Sequence, residues 1–284
     1  MSKAEIYYFS GTGNSLHIAK EIQKRLPEVA IIPIVSVLED PIIKTDSDMV
    51  GFVFPTYCTT VPAPVSRFLE KLDLSASKYV FSITTRLGTK CLSNLHVQRM
   101  LKKKGKTLDA SFIINMANNS PAGVMPVGDK NWARKVNREA VNKLELDVQR
   151  KIEGVVDCLL NQRKCRAERS NILNRGLEVM MSSIAGNNKT EIPFYADSDC
   201  NGCGLCEKVC LSNKITITEG KPEWDKEKQC YFCYACFNFC PQQAILIKNR
   251  YSGKNGRYFH PQISAQDIVQ EKEPDERLVY DRSN

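Results

Sequence analysis

Eight of the twelve cysteines lie between positions 200 and 240, in two runs with the same spacing. In each run the second, third and fourth cysteines follow after two, two and three intervening residues. This spacing is typical of bacterial ferredoxins with two [4Fe–4S] clusters, in which the fourth cysteine of each run binds the other cluster. The pattern therefore predicts one cluster on Cys200, Cys203, Cys206 and Cys240, and a second on Cys230, Cys233, Cys236 and Cys210.

Two zinc sites are the alternative, because cysteines separated by two residues also bind zinc. Zinc ligands come as two separated pairs for each ion, whereas each run here holds four cysteines, which favours clusters. Gly202 and Gly204 would let the first run bend tightly. The second run contains aromatic residues that would keep water from its cluster, namely Tyr231, Phe232, Tyr234 and Phe237.

A second chemical feature is a polar loop near the N-terminus that consists of Ser10, Gly11, Thr12, Gly13, Asn14 and Ser15. It precedes a helical pattern, and the free N–H groups of a helix N-terminus bind phosphate. A dinucleotide fingerprint would need a third glycine where Leu16 stands, and a P-loop would need a lysine after Gly13. The loop therefore suits a small terminal phosphate such as that of FMN, with a simple strand-to-helix turn as the alternative.

The elements that would position these residues alternate along the first half of the chain. Apolar runs predict five strands, at residues 6–9, 29–34, 49–54, 79–83 and 108–116. Helical periodicity between them predicts helices at residues 16–26, 65–72 and 92–103. Apolar strands separated by helices imply a parallel sheet covered on both faces.

Polar loops follow the strands at one edge of this predicted sheet. In a doubly wound sheet with strand order 2-1-3-4-5, ligands bind outside the carboxyl ends of strands one and three. Tyr57 would then lie where it stacks on a flavin ring. The predicted cofactor-binding residues in these later loops are Pro55, Thr56, Tyr57, Thr84, Thr85, Arg86, Leu87, Gly88 and Asn118.

The phosphate loop with the five-strand pattern resembles flavodoxin, and residues 1–248 resemble the fused flavodoxin–ferredoxin proteins called EFR1-family ferredoxins. The resemblance implies that Ser10, Thr12, Gly13, Asn14 and Ser15 hold the FMN phosphate. It also implies that Tyr57 and residues 84–88 flank the ring. Arg86 and Leu87 depart from the small or aromatic residues usual in flavodoxins, and a bulky charge there would alter the flavin's potential or hinder its binding.

The resulting fold class is α/β, with a flavodoxin-like five-stranded parallel sheet followed by a small α+β ferredoxin domain. We expect an FMN-binding domain at residues 1–165, including a long helical stretch at 131–165, and a helical connector at 166–195. The ferredoxin domain would cover residues 196–248. Residues 249–284 would form a polar tail whose charged end has little regular structure.

Composition limits the location and the partners of the chain. The sequence shows no apolar leader and no apolar run long enough to span a bilayer, so we expect a cytoplasmic protein without disulfides. The net charge is +8. Residues 130–175 hold twelve lysines and arginines against six acidic residues. These basic residues are not interleaved with aromatic residues, which argues against nucleic acid and leaves a solvated helix face or a docking surface for an acidic redox partner.

These features predict an electron-transfer protein that relays electrons between two [4Fe–4S] clusters and FMN. Such a protein would couple ferredoxin-type donors to two-electron reduction of a small acceptor, as a ferredoxin-linked flavin oxidoreductase. The alternatives are an electron carrier or subunit that serves a partner enzyme, and a zinc-stabilised interaction module. The three histidines have no acid or nucleophile at a telling spacing, so no catalytic residue is assigned.

Overall fold

The computed structural model describes residues 4–57, 60–87, 91–120, 138–166, 191–248 and 257–272. Its largest element is a five-stranded sheet in which every neighbouring pair of strands is parallel. The strands are β1 (Ala4–Tyr8), β2 (Val29–Pro33), β4 (Met49–Pro55), β6 (Tyr79–Arg86) and β7 (Ala110–Asn115). Their order is β2-β1-β4-β6-β7, which confirms the predicted flavodoxin-like order.

Helices cover the sheet because each has an apolar face that it buries. They are α1 (Asn14–Gln23), α2 (Ala63–Lys71), α3 (Ser93–Lys103) and α4 (Arg138–Leu160). The central strands are buried along nearly their whole length, as expected for a parallel sheet between two helical layers. A short 3-10 helix, Ile34–Val37, follows β2, and a small parallel pair joins β3 (Ile43–Lys44) to β5 (Leu72–Asp73).

The cysteine-rich half folds as two short antiparallel strand pairs and two one-turn helices. Strand β8 (Phe194–Ala196) pairs with β11 (Ile245–Ile247), and β9 (Ile215–Thr218) pairs with β10 (Lys221–Trp224). The helices are α5 (Leu205–Lys208) and α6 (Ala235–Asn238), and each carries the third cysteine of one run. This arrangement is the predicted small α+β ferredoxin domain.

The expectation of a polar tail does not describe residues 257–272, which fold against the rest of the chain. Helix α7 (Ala265–Val269) begins at Ser264, whose side chain accepts a hydrogen bond from Asp267 N while the Asp267 side chain accepts one from Ser264 N. Ile263 and Ile268 are buried against the main core. In the sequence these apolar residues are widely spaced among polar ones, so they did not predict a folded segment. Their packing on the rest of the chain stabilises the segment.

The expectation that no cysteines pair is also wrong, because Cys158 and Cys165 form a disulfide. Cys158 lies near the end of α4, and Cys165 O accepts a hydrogen bond from Ser111 N at 2.7 Å. The disulfide therefore links the end of α4 to Cys165, which lies beside β7. Most of the predicted connector, residues 167–190, lies outside the described residues, as does the predicted helical stretch before residue 138. Of the helices described, none is long and apolar enough to cross a membrane.

Candidate functional site

The first cysteine run surrounds a cavity of about 320 Å³ together with the last cysteine of the second run. Its wall contains Cys200, Cys203, Cys206 and Cys240, which is the crossed set that the spacing predicts. Gly204, with φ of 74°, precedes α5 and turns the chain so that the helix carries Cys206 to this cavity. The structure thus brings together four thiols from sequence positions up to 40 residues apart.

Cys210 lies within electrostatic range of the three remaining cysteines, Cys230, Cys233 and Cys236. Burial raises the pKa of Cys230 to about 11, and Cys210 adds to this increase. Burial also raises the pKa of the Cys233 and Cys236 thiols, again with a contribution from Cys210. Cys210 is therefore close to the first three cysteines of the second run.

Burial disfavours the ionised form of Cys206 in the first group and of Cys230, Cys233 and Cys236 in the second. In the first group it raises the pKa of Cys206 to about 11, with further contributions from Cys240, Cys203 and Cys200. Several thiolates cannot ionise together in such a space unless a bound cation compensates their charge. The two groups therefore have the chemistry of metal-cluster ligands.

The two runs also repeat each other in backbone conformation. Gly202 and Gly204 have φ values of 72° and 74°, and the equivalent residues of the second run, Phe232 and Tyr234, have φ of 56° and 57°. In this left-handed region a residue with a side chain costs about 1 kcal/mol or more. The second run has no glycine at these two positions, so its sequence does not indicate a left-handed backbone conformation there. Packing compensates there, since Tyr234 is buried in an apolar cluster with Phe237.

A second cavity, of about 410 Å³, lies at the carboxyl ends of the sheet strands. Most of the predicted cofactor-binding residues line it, namely Ser10, Gly11, Thr12, Asn14, Ser15, Pro55, Thr56, Tyr57, Thr85, Arg86, Leu87 and Asn118. The loops after β1, β4, β6 and β7 therefore meet at one edge, as parallel strands require.

Two of the predicted residues that the structure describes, Gly13 and Thr84, are not part of this wall. Gly13 lies behind it, against Ile263, and Gly88 lies outside the described residues. The Thr84 side chain is buried on the helix side, where its hydroxyl donates to Asn94 Oδ1 at 3.0 Å. The prediction omitted Met116, Ala117 and Asn119, which also line the cavity; their position directly after a strand was the available signal.

Hydrogen bonds fix the polar loop that follows β1. Gly13 N donates to Ser10 Oγ at 3.1 Å, and Gly13 has φ of 95°, which favours glycine. Asn119 Nδ2 donates to Thr12 Oγ1 at 2.9 Å. Asn14 Nδ2 donates to Ala117 O at 2.9 Å. The loop after β7 therefore supports the loop after β1 and places its hydroxyl and amide groups beside the cavity.

Tyr57 and Arg86 are the ionisable side chains among the described residues that line this cavity. The Tyr57 hydroxyl is buried and has no hydrogen-bond partner among the described residues. Burial raises the pKa of Tyr57, and nearby Cys233 adds to the increase. Arg86 Nε donates to Asn115 Oδ1 at 3.1 Å, so its side chain is held at the edge of β7. An unpaired buried hydroxyl of this kind is a group that a ligand would satisfy.

The polar loop and the second cysteine run touch each other. A Cβ atom added to Gly11 would lie 2.4 Å from Cys233 Cβ and 2.5 Å from Cys233 O. The ring of Phe9 makes edge contacts with Tyr57 and with Tyr231, both at 6.2 Å between centroids. The cavity at the sheet edge and the second group of thiols are therefore direct neighbours.

Residues 199–245 match the family described as the 4Fe-4S dicluster domain. One of the subunits of the ion-translocating oxidoreductase complex of Methanosarcina acetivorans is 47% identical over 58 residues, which cover 20% of this chain and 22% of that protein. An uncharacterised polyferredoxin-like protein of Methanocaldococcus jannaschii is 38% identical over 63 residues, which cover 22% of this chain and 27% of that protein. The chain thus spans about a quarter of the length of these curated relatives.

A solved structure, the rubredoxin oxygen:oxidoreductase of the anaerobe Desulfovibrio gigas, aligns with 54% of this chain and 37% of that chain, with 12% identity and a TM-score of 0.31. The chain therefore contains a 4Fe-4S dicluster domain of the electron-transfer type, which follows a flavodoxin-like sheet.

Proposed function

We propose that this chain is an iron–sulfur flavoprotein that relays electrons between two [4Fe–4S] clusters and a bound FMN, as a fused flavodoxin–ferredoxin protein. The observation that carries the proposal is the contact between Gly11 of the polar loop and Cys233 of the second cysteine run. It would place a cluster ligand against the loop that holds the flavin phosphate.

The donor sets fit the clusters in the crossed arrangement. Cys200, Cys203, Cys206 and Cys240 share one cavity, which supports them as the ligands of one cluster. The coupling of Cys210 to the second run supports Cys230, Cys233, Cys236 and Cys210 as the ligands of the other. Backbone N–H groups donate to the fourth cysteine of each run at equivalent positions, from Lys214 to Cys210 Sγ and from Ala244 to Cys240 Sγ. Such bonds stabilise the more negative, reduced state of a cluster.

The residues at the sheet edge fit FMN. Ser10, Thr12, Asn14 and Ser15, which line the cavity, would hold the phosphate through hydroxyl, amide and backbone N–H groups. Tyr57 and residues 85–87 would flank the ring. The unpaired Tyr57 hydroxyl is the observation that favours a ligand there, because a buried hydroxyl without a partner destabilises the fold by about 1–3 kcal/mol.

When bound, the clusters would exchange single electrons and FMN would exchange one or two. The protein would hold Cys233 against Gly11 and exclude water from the space between the second cysteine run and the flavin site. The edge-packed rings of Phe9, Tyr57 and Tyr231 occupy this boundary. The protein would thereby keep the cluster of the second run closer to the flavin than that of the first.

Cofactor analysis of the anaerobically purified chain tests this function. We expect about eight iron and eight sulfide per chain, together with about one FMN that is released on denaturation. Reduction of the clusters should then be followed by bleaching of the flavin within the same molecule, at a rate independent of protein concentration. A colourless preparation that contains zinc and neither iron nor sulfide would refute the clusters, and failure to take up added FMN would refute the flavin site.

An electron carrier or subunit that serves a partner enzyme is the second candidate function. It is favoured by the scarcity of ionisable groups around the cavity, where Tyr57 and Arg86 are the ones found among the described lining residues. A carrier should reduce no small acceptor unless a partner protein is present. Steady turnover of a small two-electron acceptor by the purified chain would instead establish a ferredoxin-linked flavin oxidoreductase.

Lys214 should raise the potential of the cluster of the second run. Its side chain is buried, and Nζ forms an ion pair with Glu191 Oε1 at 3.0 Å and donates to Lys228 O at 2.6 Å and to the carbonyl of Asp225. Because this positive charge favours the more negative reduced cluster, Lys214→Met should lower that potential by about 60 mV, or about 1.4 kcal/mol for one electron. Redox titration followed by electron paramagnetic resonance measures the shift. The exposed Lys228→Met variant is the control, and equal potentials in the two variants would contradict the assignment.

A further inference from the structure

Residues 257–272, here called the 257–272 segment, lie against both the second cysteine run and the polar loop. The sequence places them after the ferredoxin repeat, and neither cofactor site predicted from the sequence includes them. Tyr258, His260, Ile263, Ile268 and Glu271 are all buried. A segment buried on two neighbouring sites is able to fix their relative position.

On the cluster side, three successive residues of the segment hold the three residues between Cys236 and Cys240. The Arg257 guanidinium donates to Phe237 O at 2.5 Å and lies 3.4 Å from the centroid of the Phe237 ring. Tyr258 N donates to Asn238 Oδ1 at 2.9 Å. The ring of Phe259 stacks on Phe239 at 4.6 Å. The segment therefore contacts every residue between the last two cysteines of the second run.

On the other side, the segment holds the polar loop. The Tyr258 hydroxyl donates to Asn14 Oδ1 at 2.9 Å, and His260 N donates to Thr12 O at 2.8 Å. Ile263 packs so closely on Gly13 that a Cβ atom there would lie 2.7 Å from Ile263 Cβ. Ser10 N donates to the buried Glu271 Oε2 at 3.4 Å. Four of the six residues of the polar loop thus contact the segment.

A cluster of side chains anchors the segment beside the loop. The rings of His17 and His260 stack at 3.9 Å, and Glu145 lies 2.9 Å from His17 Nε2 and 3.6 Å from His260 Nε2. These three residues could be a metal site by composition. Their rings, however, are inclined by only 20°, so the two Nε2 lone pairs do not converge on one ion. His260 Nδ1 also accepts from Gln262 N at 3.3 Å, which favours a proton on Nε2, the nitrogen that faces the Glu145 carboxylate.

We propose that the 257–272 segment is a positioning element that fixes the second cysteine run against the polar loop. This inference rests on the proposed function, because it assigns the segment a role in FMN binding and in the transfer of electrons from the neighbouring cluster. Tyr258 is its central residue, since its backbone N–H binds Asn238 of the cysteine run and its hydroxyl binds Asn14 of the polar loop. Neither Tyr258 nor Arg257 would ligate a cofactor.

Two variants of the full chain test the proposal. Tyr258→Phe removes the hydroxyl that orients Asn14, and we expect the FMN dissociation constant to rise about fivefold with iron and sulfide unchanged. Arg257→Met removes the hydrogen bond to Phe237 O and the guanidinium contact with the Phe237 ring, and we expect flavin reduction by the reduced clusters to slow by about tenfold. Tyr195→Phe is the matched control, because Tyr195 is an exposed tyrosine on β8 of the ferredoxin domain.

A second readout does not depend on FMN. Amide hydrogen exchange at residues 10–15 should be faster in Tyr258→Phe than in Tyr195→Phe, because the loop loses one of its fixed contacts. Dissociation constants and transfer rates within twofold of the unaltered chain, in both variants, would overturn the positioning role. If the unaltered chain takes up no FMN, the proposed flavin function fails, and equal exchange in the two tyrosine variants would then overturn the positioning role separately.

Discussion

Replacing Cys240 by alanine should remove the cluster of the first cysteine run, and replacing Cys210 should remove that of the second. Each variant should fall from about eight iron atoms to about four per chain. The physical reason is the crossed arrangement, in which Cys240 shares a cavity with Cys200, Cys203 and Cys206. A fourth iron without a thiolate leaves its cluster incomplete, and the protein does not retain it.

The two variants should differ more in function than in iron content. Cys233 contacts Gly11, so the cluster of the second run is the one beside the polar loop. Cys210→Ala should therefore abolish flavin reduction by the clusters. Cys240→Ala should retain it, because the cluster nearer the polar loop keeps all four of its ligands.

Iron and sulfide analysis, electron paramagnetic resonance and stopped-flow flavin reduction together measure these effects. Cys91→Ala is the control, since Cys91 is a free cysteine outside both runs. Retention of the first-run cluster in Cys240→Ala, with loss of the second, would show that each run binds its own cluster. That outcome would refute the crossed ligand sets.

Gly11→Ala should separate the two cofactor sites. An added Cβ would lie 2.4 Å from Cys233 Cβ, which is closer than real Cβ atoms approach one another. The loop or the cysteine run must therefore move, and such overpacking destabilises proteins by about 1–3 kcal/mol. Because the proposed relay would pass electrons across this contact, we expect flavin reduction to slow by at least about tenfold while the iron content is retained.

Gly154→Ala is the matched control for this variant. Gly154 lies within α4, and no described heavy atom outside its own helix lies within 4 Å of a Cβ at that position. Alanine also favours a helix over glycine by about 1 kcal/mol, so this variant should fold and transfer electrons like the unaltered chain. Stopped-flow reduction and thermal unfolding of both variants give the comparison. Equal rates of flavin reduction would exclude Gly11 from the path between the cofactors.

The sequence by itself determined the features whose signals are local. Buried parallel strands appear as apolar runs, so β1, β2, β4, β6 and β7 were predictable, and their order followed from the flavodoxin-like pattern. The cysteine repeat determined the type of site because spacing along a short loop fixes which thiols can converge. The polar loop was recognisable because its glycines and hydroxyl residues adjoin a strand and a helix.

Tertiary structure alone decided the features that join distant parts of the chain. Tyr258 binds Asn14 across 244 positions, and Cys233 meets Gly11 across more than 200. The sequence predicts a polar tail at residues 257–272 because their apolar residues are few and widely spaced. In the structure these apolar residues are buried by other parts of the chain. Local periodicity reports which face of an element is apolar, but it carries no information about which distant surface covers that face. The arrangement of the cysteine runs and the polar loop therefore depends on packing that no short stretch of sequence encodes.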